Sequence, residues 1–249
     1  MRPKVVAFVQ ARMSSRRLPA KVLAPIEGEP MLARVLSRVC RARTVAETWV
    51  LTSEDESDHP IEKLCKERGI PCFRGSLDDV LDRFVRAAQV ADPDIIVRIT
   101  ADCPLIDPAL IDRTVEALLS DPKTVYAATR TSEQRTFPIG IDVEVFRREA
   151  LERAAEVALD GYQREHVTPW FYDGSQVDPI VHVQAERDLG GHRWTVDTPE
   201  DLAFVRALWP KLPSDYAGYE EIAAIVEAHP ELRALNAHVR QKHYRETGD

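Results

Sequence analysis

Strand-like and helix-like segments alternate along the first half of the chain, and this order most constrains its fold. Short apolar runs typical of buried strands lie at residues 5–9, 49–51, 94–100 and 125–128. Apolar stripes at helical spacing lie between them and begin near Pro30, Pro60, Ser76 and Pro108. This order over residues 4–128 predicts an α/β fold, in which helices cover both faces of a parallel sheet. The ligand site of such a sheet lies at the carboxyl ends of its strands.

The regular order breaks after residue 128. Strands are predicted at 139–146, 180–183 and 193–196, and helices at 148–159, 164–172 (interrupted at Pro169) and 199–208 (opened by Thr198). The tail at 219–244 predicts two helices joined near Pro230. Because no linker rich in Gly or Ser divides the chain, we expect a single domain over 1–249. It contains a subregion at 130–190 and ends in a helical extension at 215–249.

Composition excludes several classes of protein. The 249 residues include 33 Lys and Arg against 41 Asp and Glu, a net charge of −8, so we expect no nucleic-acid partner. No run of eighteen apolar residues predicts a membrane span. Residues 1–4 lead directly into a strand and do not resemble a signal peptide, so we expect a cytoplasmic protein. The four cysteines form no CxxC pair, which favours reduced thiols over zinc ligands or disulfides.

The segment from Gln10 to Lys21, QARMSSRRLPAK, follows the first strand and concentrates positive charge. Its three arginines, lysine and two serines are suited to a polyanion, most plausibly a nucleoside triphosphate, at the carboxyl end of a buried strand. The alternative is a solvated basic turn. Neither a GxGxxG nor a GxxxxGK[ST] motif is present, which disfavours a dinucleotide fold and a P-loop NTPase.

Carboxylates follow the strand at 94–100. Asp102 is well placed to hold Mg²⁺ on a triphosphate, although it could also form the turn before Pro104. Asp107 precedes Pro108 and is more typical of a helix N-cap. Asp197 is a candidate ligand or cap, and Thr198 beside it can cap the helix alone.

A third set of polar residues lies in the subregion at 130–190. Asp142 and Glu144 alternate with apolar residues, which predicts that both lie on one face of a strand. That face either meets solvent or holds hydroxyl groups of an acceptor. Arg164, Glu165 and His166 form a cluster that either binds an acceptor or lies on the surface.

The basic segment carries the pattern ARxxSxRLPxK, in which the matching polar residues are Arg12, Ser15, Arg17 and Lys21. This pattern resembles the signature of the CTP-dependent sugar cytidylyltransferases, which include the acylneuraminate and deoxy-manno-octulosonate enzymes. The segments at 73–76, 78–83, 100–107 and 165–169 resemble most closely the branch typified by the spore coat polysaccharide biosynthesis protein F. The resemblance covers roughly residues 4–205, and it departs at Ala20, where relatives often have Gly.

The resemblance implies a fold, a cofactor and roles for the candidate residues. The fold would be a mostly parallel, Rossmann-like (GT-A-like) nucleotidyltransferase sheet with an inserted acceptor and dimerisation subregion, in a homodimer. Residues implied to contact the nucleotide are Arg12, Ser15, Arg17, Lys21, Ser76, Asp79 and Thr100. Arg12 and Lys21 would be catalytic, and Asp102 and Asp197 would hold Mg²⁺. From the sequence alone, capping of their helix is favoured over contact with the nucleotide for Ser76, Asp78 and Asp79.

The function implied is transfer of CMP from CTP to an acidic sugar, with release of pyrophosphate, for surface polysaccharide or glycan biosynthesis. Residues implied to bind the acceptor are Asp142, Glu144, Arg164, Glu165 and His166, and Arg130, Arg135 and Arg164 are candidates for its carboxylate. One alternative is a glycosyltransferase of the same fold that uses a nucleotide sugar. A second is a nucleotide-binding module without catalytic activity.

Overall fold

A central sheet of seven strands organises the protein in the computed structural model, which describes residues 2–130, 135–158, 160–173 and 178–241. The strands are β1 (Val5–Gln10), β2 (Pro25–Ile26), β3 (Glu29–Pro30), β4 (Glu47–Ser53), β5 (Cys72–Gly75), β6 (Ile95–Thr100), β7 (Tyr126–Ala128), β8 (Glu144–Arg147) and β9 (Ile180–His182). The order in the sheet is β5-β4-β1-β6-β8-β7-β9, while β2 and β3 form a separate two-stranded pair. Within this sheet only β8 runs antiparallel to its neighbours, so the predicted mostly parallel sheet is confirmed.

Helices cover both faces of the sheet. They are α1 (Met31–Val39), α2 (His59–Arg68), α3 (Val80–Ala91), α4 (Pro108–Leu119), α5 (Arg148–Val157), α6 (Gly161–His166), α7 (Pro169–Tyr172), α8 (Pro199–Leu208), α9 (Tyr219–Ala228) and α10 (Pro230–Ala234). Alternate residues of β1 enter two separate cores: Val5, Ala7 and Val9 pack on one side, and Val6 and Phe8 on the other. The sheet is therefore buried between two layers, as its continuous apolar strands predict.

Local sequence signals determine several helix ends. Asp107 caps α4 through the N–H of Ala109, as expected. Thr198 caps α8 through the N–H of Asp201, which completes a capping box and leaves the carboxylate of Asp197 free of that role. The helix predicted at Ser76 begins later, because Asp79 is its N-cap. The expectation that Ser76 caps α3 is therefore wrong.

The strand predicted at 139–146 is also wrong in its first half. Only Glu144–Arg147 pairs as β8. At Gly140, where φ is +106°, a Cβ would lie 2.2 Å from the backbone nitrogen of Thr195. The chain at Gly140 therefore passes directly over residues 194–195. In place of the strand predicted at 193–196, Ile139 and Arg193 form an isolated bridge.

The carboxyl ends of the parallel strands meet at one edge of the sheet. Gln10, at the end of β1, pairs in register with Leu51 and with Thr100. The basic segment after β1 and the carboxylate of Asp102 after β6 therefore leave the sheet side by side. The helical extension packs on the domain, with Ile222 and Leu232 buried in its core. Across the described ranges, no helix has the length and apolar character needed to cross a membrane.

Candidate nucleotide-binding site

A pocket of about 300 Å³ opens at the carboxyl ends of β1 and β6. Its lining residues are Gln10, Ala11, Arg12, Ser15, Arg16, Arg17, Lys21, Val22, Leu77, Val80, Arg83, Thr100, Ala101, Asp102 and Asp197. The pocket thus brings together the basic segment and two carboxylates that lie 95 residues apart in the chain. Asp102 and Asp197 therefore lie together at the basic segment.

The basic segment folds back on itself as a closed loop, which we call the phosphate loop (residues 11–21). The backbone carbonyl of Met13 accepts hydrogen bonds from the N–H groups of Ser15 (2.9 Å) and Ala20 (3.0 Å). Ala20 adopts a left-handed conformation with φ of +58°, the region that glycine enters most easily. Ala20, at the position where the resemblance leads us to expect Gly, therefore adopts the backbone conformation that a glycine would adopt.

Lys21 lies at the end of the phosphate loop, and its ammonium group is surrounded by oxygens. Nζ lies 3.0 Å from Asp102 Oδ2, 2.8 Å from Asp197 Oδ1 and 2.7 Å from the carbonyl oxygen of Val196. Burial lowers the pKa of Lys21, but the two carboxylates outweigh burial and raise it above its ordinary value. Lys21 is therefore a fixed positive charge between the two acidic side chains.

Asp102 and Asp197 differ in how they are compensated. Burial raises the pKa of Asp102, but the Lys21 ammonium and hydrogen bonds from Thr100, Lys21 and Cys103 lower it to about 2. Asp197 has two further cationic partners, because Arg17 and Arg193 each place Nη2 3.0 Å from its Oδ2. Asp102 thus depends on Lys21 alone for a nearby cation among the ion pairs of the described residues.

The oxygens around Lys21 Nζ fit a hard divalent cation in kind and number. They comprise two carboxylates and one backbone carbonyl. No cluster of three or more His, Cys, Asp or Glu side chains suited to a metal occurs in the part of the chain that the structure describes. Mg²⁺ needs no such cluster, since it binds one or two carboxylates and completes its shell with waters and substrate phosphates.

The segment before α3 forms another wall of the pocket. Leu77 and Val80 line it, while Ser76 accepts the N–H of Asp79, and Asp79 accepts the N–H of Asp82. Arg83, fully buried on α3, donates to the carbonyls of Ser76 (3.0 Å) and Leu77 (3.2 Å). Sequence reasoning missed Arg83, although a charged residue on the apolar stripe of a helix is a usable signal.

Glu144 lies in the interior and does not face an open pocket. It is 3% exposed and pairs with Arg98, while Tyr126 and Thr168 donate hydroxyl hydrogen bonds of 2.7 Å to it. Burial raises the pKa of Glu144, but the nearby guanidinium groups of Arg98 and Arg130 lower it. The expectation that Asp142 and Glu144 lie on one face of a strand is therefore wrong, since β8 begins only at Glu144.

Asp142 is held by arginines of its own subregion. Arg135 binds it through two hydrogen bonds, of 2.6 and 3.0 Å, and Arg130 Nε lies 3.7 Å from its Oδ2. Arg135 is thus already paired with a carboxylate. Arg130 makes no such pair of hydrogen bonds with Asp142, and its Nε is buried without a hydrogen-bond partner among the described residues.

Three neighbouring residues of α6, Arg164, Glu165 and His166, lie in different environments. Arg164 donates to Asp79 (2.7 Å) and to the carbonyl of Ala158 (3.1 Å), so it connects α6 to the start of α3. Glu165 is exposed, and His166 is half-buried. Burial lowers the pKa of His166 below its ordinary value. The structure therefore pairs Arg164 with Asp79, one of the residues expected to contact the nucleotide.

Arg98 is a second residue that sequence reasoning missed. It lies in the middle of an apolar strand, and this interruption of a buried run is the signal that could have identified it. Its Nη2 donates to Gln10 Oε1 (3.1 Å), and Gln10 lines the pocket. Its buried Nε has no hydrogen-bond partner within the described ranges. Arg98 thus connects the pocket with Glu144 and the inserted subregion.

Comparison with known proteins places this geometry in context. The family model described as cytidylyltransferase matches residues 6–239. The spore coat polysaccharide biosynthesis protein SpsF of Bacillus subtilis is 31% identical over 214 residues, which cover 83% of this chain and 87% of that protein. The 3-deoxy-manno-octulosonate cytidylyltransferase of Trichlorobacter lovleyi is 36% identical over 121 residues, which cover 48% and 46% of the two chains. A solved cytidylyltransferase structure from Leptospira borgpetersenii is 30% identical, with a TM-score of 0.89 over 97% of this chain and all of that one.

Proposed function

This chain belongs to the cytidylyltransferase family, and from that premise we propose that it transfers CMP from CTP to an acidic sugar, with release of pyrophosphate. The observation that carries the proposal is the pocket in which the phosphate loop meets Asp102 and Asp197. The names of two relatives support the acceptor and the pathway: one acts in polysaccharide biosynthesis, and one is a cytidylyltransferase for an eight-carbon sugar acid.

The phosphate loop supplies the charge that a triphosphate requires. Arg12, Arg17 and Lys21 all border the pocket, together with the hydroxyl group of Ser15. One guanidinium group can bind two phosphate oxygens at once, whereas an ammonium group acts as a point charge. We assign CTP to this pocket with its phosphates against the loop and its base toward Leu77 and Val80.

Asp102 and Asp197 are the residues that would hold Mg²⁺. Their oxygens converge on one point, which the Lys21 ammonium occupies in the structure. Bound Mg²⁺ would neutralise charge on the triphosphate. The side chain of Lys21, released toward the phosphates, would then contribute to the same neutralisation.

The reaction is an in-line substitution at the α-phosphorus. A hydroxyl oxygen of the acceptor forms the new P–O bond and loses its proton, while the bond from the α-phosphorus to the bridging oxygen breaks and pyrophosphate leaves. Catalysis of this kind depends mainly on positioning and on stabilisation of charge. Arg12 and Lys21 are placed to stabilise the charge that develops on the leaving group.

The acceptor carboxylate is assigned to the neighbourhood of Arg98 and Arg130. Both guanidinium groups lie close to Glu144, and each has a buried Nε that no residue in the described ranges accepts. A buried donor without an acceptor is costly, so an anionic ligand would gain by filling this role. Arg135 and Arg164 are hydrogen-bonded to Asp142 and Asp79, and Arg98 is hydrogen-bonded to Glu144. Arg130 lies 3.7 Å from Asp142 and is therefore the most available of the four.

A thermal-shift screen tests the nucleotide first. We expect CTP with Mg²⁺ to raise the melting temperature more than ATP, GTP or UTP, because a ligand stabilises the state that it binds. Arg12→Ala is the variant that tests the phosphate contact. Its side chain is exposed, so the variant should fold normally and lose most of the stabilisation by CTP. Pyrophosphate release is then measured with CTP and a panel of acidic sugars. Preference for a nucleotide sugar over CTP would contradict the proposal and favour a glycosyltransferase.

We also propose that the subregion at 130–190 mediates a homodimer. Two large apolar side chains are exposed there, Val157 (56%) on α5 and Ile180 (39%) on the edge strand β9. Apolar side chains of this kind gain free energy when a partner covers them. Light scattering on the wild-type protein and on a Val157→Glu, Ile180→Glu double variant tests this assignment, since we expect only the variant to be monomeric.

A further inference from the structure

Asp58 is a buried carboxylate that lies outside the pocket, just before α2. It is 1% exposed, and its Oδ2 accepts hydrogen bonds from Thr52 Oγ1 (2.9 Å) and from the backbone N–H of Ser53 (3.0 Å). These two residues form the end of β4. One oxygen of Asp58 is therefore anchored to the carboxyl edge of the sheet.

The other oxygen of Asp58 reaches the phosphate loop. Asp58 Oδ1 accepts the backbone N–H of Met13 at 2.7 Å. The carbonyl of the same residue accepts the N–H groups of Ser15 and Ala20, which close the loop directly before Lys21. Met13 thus connects the phosphate loop to the sheet, because Asp58, which is bound to β4, accepts its backbone N–H.

We propose that Asp58 is a positioning residue, which fixes the phosphate loop through Met13 and thereby sets the places of Arg12 and Lys21 in the pocket. This inference rests on the proposed function, because it assigns Asp58 a role in binding CTP. Asp58 itself does not line the pocket. It acts through the backbone of the loop.

A carboxylate is the side chain that this arrangement requires. Each of its two oxygens accepts a different backbone N–H, one from Ser53 and one from Met13. An asparagine has a single acceptor oxygen, and its NH₂ group would face one of the two N–H donors. Asp58→Asn must therefore break one of the two connections, although it hardly changes the volume of the side chain.

Asp112 provides a matched control at the opposite edge of the sheet. It lies on α4, it is also buried, and its two oxygens accept the backbone N–H groups of Arg43 (3.1 Å) and Thr44 (2.8 Å). Arg43 and Thr44 precede β4, whereas the pocket lies at the carboxyl ends of the strands. Asp112→Asn breaks the same type of connection without touching the phosphate loop.

The test compares both variants with the wild-type protein. We expect each substitution to lower the melting temperature by a similar amount, about 5 °C. Isothermal titration calorimetry with CTP and Mg²⁺, well below both melting temperatures, should then distinguish the two variants. Asp58→Asn should weaken CTP binding at least tenfold, since each hydrogen bond to a charged phosphate that the displaced loop loses is worth about tenfold or more in affinity, while Asp112→Asn should stay within about twofold. Equal CTP affinity in the two variants would overturn the inference, and absence of CTP binding by the wild-type protein would instead refute the proposed function.

A second measurement covers the case in which Asp58→Asn does not fold. Hydrogen exchange of the wild-type protein, followed by NMR, should show the N–H groups of Met13, Ser15 and Ala20 protected without any nucleotide. Fast exchange of the Met13 N–H would overturn the inference whatever the variant does. Slow exchange of these N–H groups in the wild-type protein would support the inference. Where both variants fold, we expect Asp58→Asn to lose this protection and Asp112→Asn to keep it.

Discussion

Replacing Lys21 with methionine removes the positive charge between Asp102 and Asp197 and keeps most of the volume of the side chain. Asp197 retains Arg17 and Arg193 at 3.0 Å. Asp102 retains only hydrogen-bond donors, because Lys21 is its ion-pair partner. We therefore expect Lys21→Met to destabilise the protein through Asp102 and to create a demand for another cation at this point.

The magnitude follows from the pKa of Asp102, which lies at about 2 in the folded protein against an ordinary value of 3.8. At about 1.36 kcal/mol per pH unit, the difference corresponds to about 2.4 kcal/mol of stability. This contribution is fully present above pH 3.8 and is lost as the pH falls toward 2, because the unfolded state then binds the proton more readily. This difference is the net effect of burial, which opposes the charged form, and of Lys21 with the hydrogen bonds from Thr100 and Cys103, which favour it. Because Lys21 supplies the charge that offsets burial, the free energy of unfolding of Lys21→Met at pH 7 should be lower by about 2 kcal/mol or more.

Urea denaturation at pH 7, with and without Mg²⁺ and in the absence of nucleotide, measures this effect. Mg²⁺ at about ten times its dissociation constant should restore about 1.4 kcal/mol to Lys21→Met, whereas the wild-type protein should gain little because Lys21 already occupies the place. Lys4→Met is the matched control. Lys4 forms a surface pair with Glu47 and is 38% exposed, so its loss should cost less than about 1 kcal/mol and should leave Mg²⁺ without effect.

Two results would refute the reasoning. If Lys21→Met is as stable as the wild-type protein at pH 7, Lys21 does not stabilise the charged form of Asp102. If Mg²⁺ stabilises the wild-type protein and Lys21→Met equally, Mg²⁺ and the Lys21 ammonium do not compete for Asp102 and Asp197.

Two further predictions concern the buried groups beside the inserted subregion. Burial lowers the pKa of His166, so the unfolded state binds more protons below pH 6.5 and stability should fall as the pH drops from 6.5. His166→Gln should flatten this dependence in urea denaturation, and NMR titration of the wild-type imidazole should give a pKa below 6.5; a pKa at or above 6.5 would contradict the prediction. Glu144→Ala leaves the charge of Arg98 buried and unpaired and should cost about 3–5 kcal/mol in the same assay, and a loss below 1 kcal/mol would show that Arg98 finds another partner.

Much of the fold was predictable because local signals and the pattern of apolar residues agree. The helix Pro108–Leu119 and the helix Pro199–Leu208 begin at a cap and proline that the sequence displays. The strand β6 is an apolar run that only Arg98 interrupts before its final residue, Thr100. The phosphate loop and Asp102 follow buried strands, so the topology of a parallel sheet was enough to predict that they meet.

The parts that were not predictable depend on contacts between distant segments. The alternation at 139–146 suggests a strand, but the close approach of residues 194–195 to Gly140 prevents pairing there. Nothing near Arg164 in the sequence indicates that Asp79 is its partner, 85 residues away. Asp58 likewise has no motif of its own, because its role depends on where the Met13 backbone lies in three dimensions.

The reversed direction of β8 has a consequence for how such enzymes diversify. β7 ends and β8 begins at the edge of the sheet that carries the pocket, and Glu144 at the start of β8 pairs in register with Arg98. The connection between these strands therefore starts and finishes beside the proposed acceptor site. Changes in its length or composition can alter the choice of acceptor while β1, β6 and the nucleotide half stay untouched. If the proposed function is correct, this topology lets one nucleotide half be inherited together with different acceptor specificities.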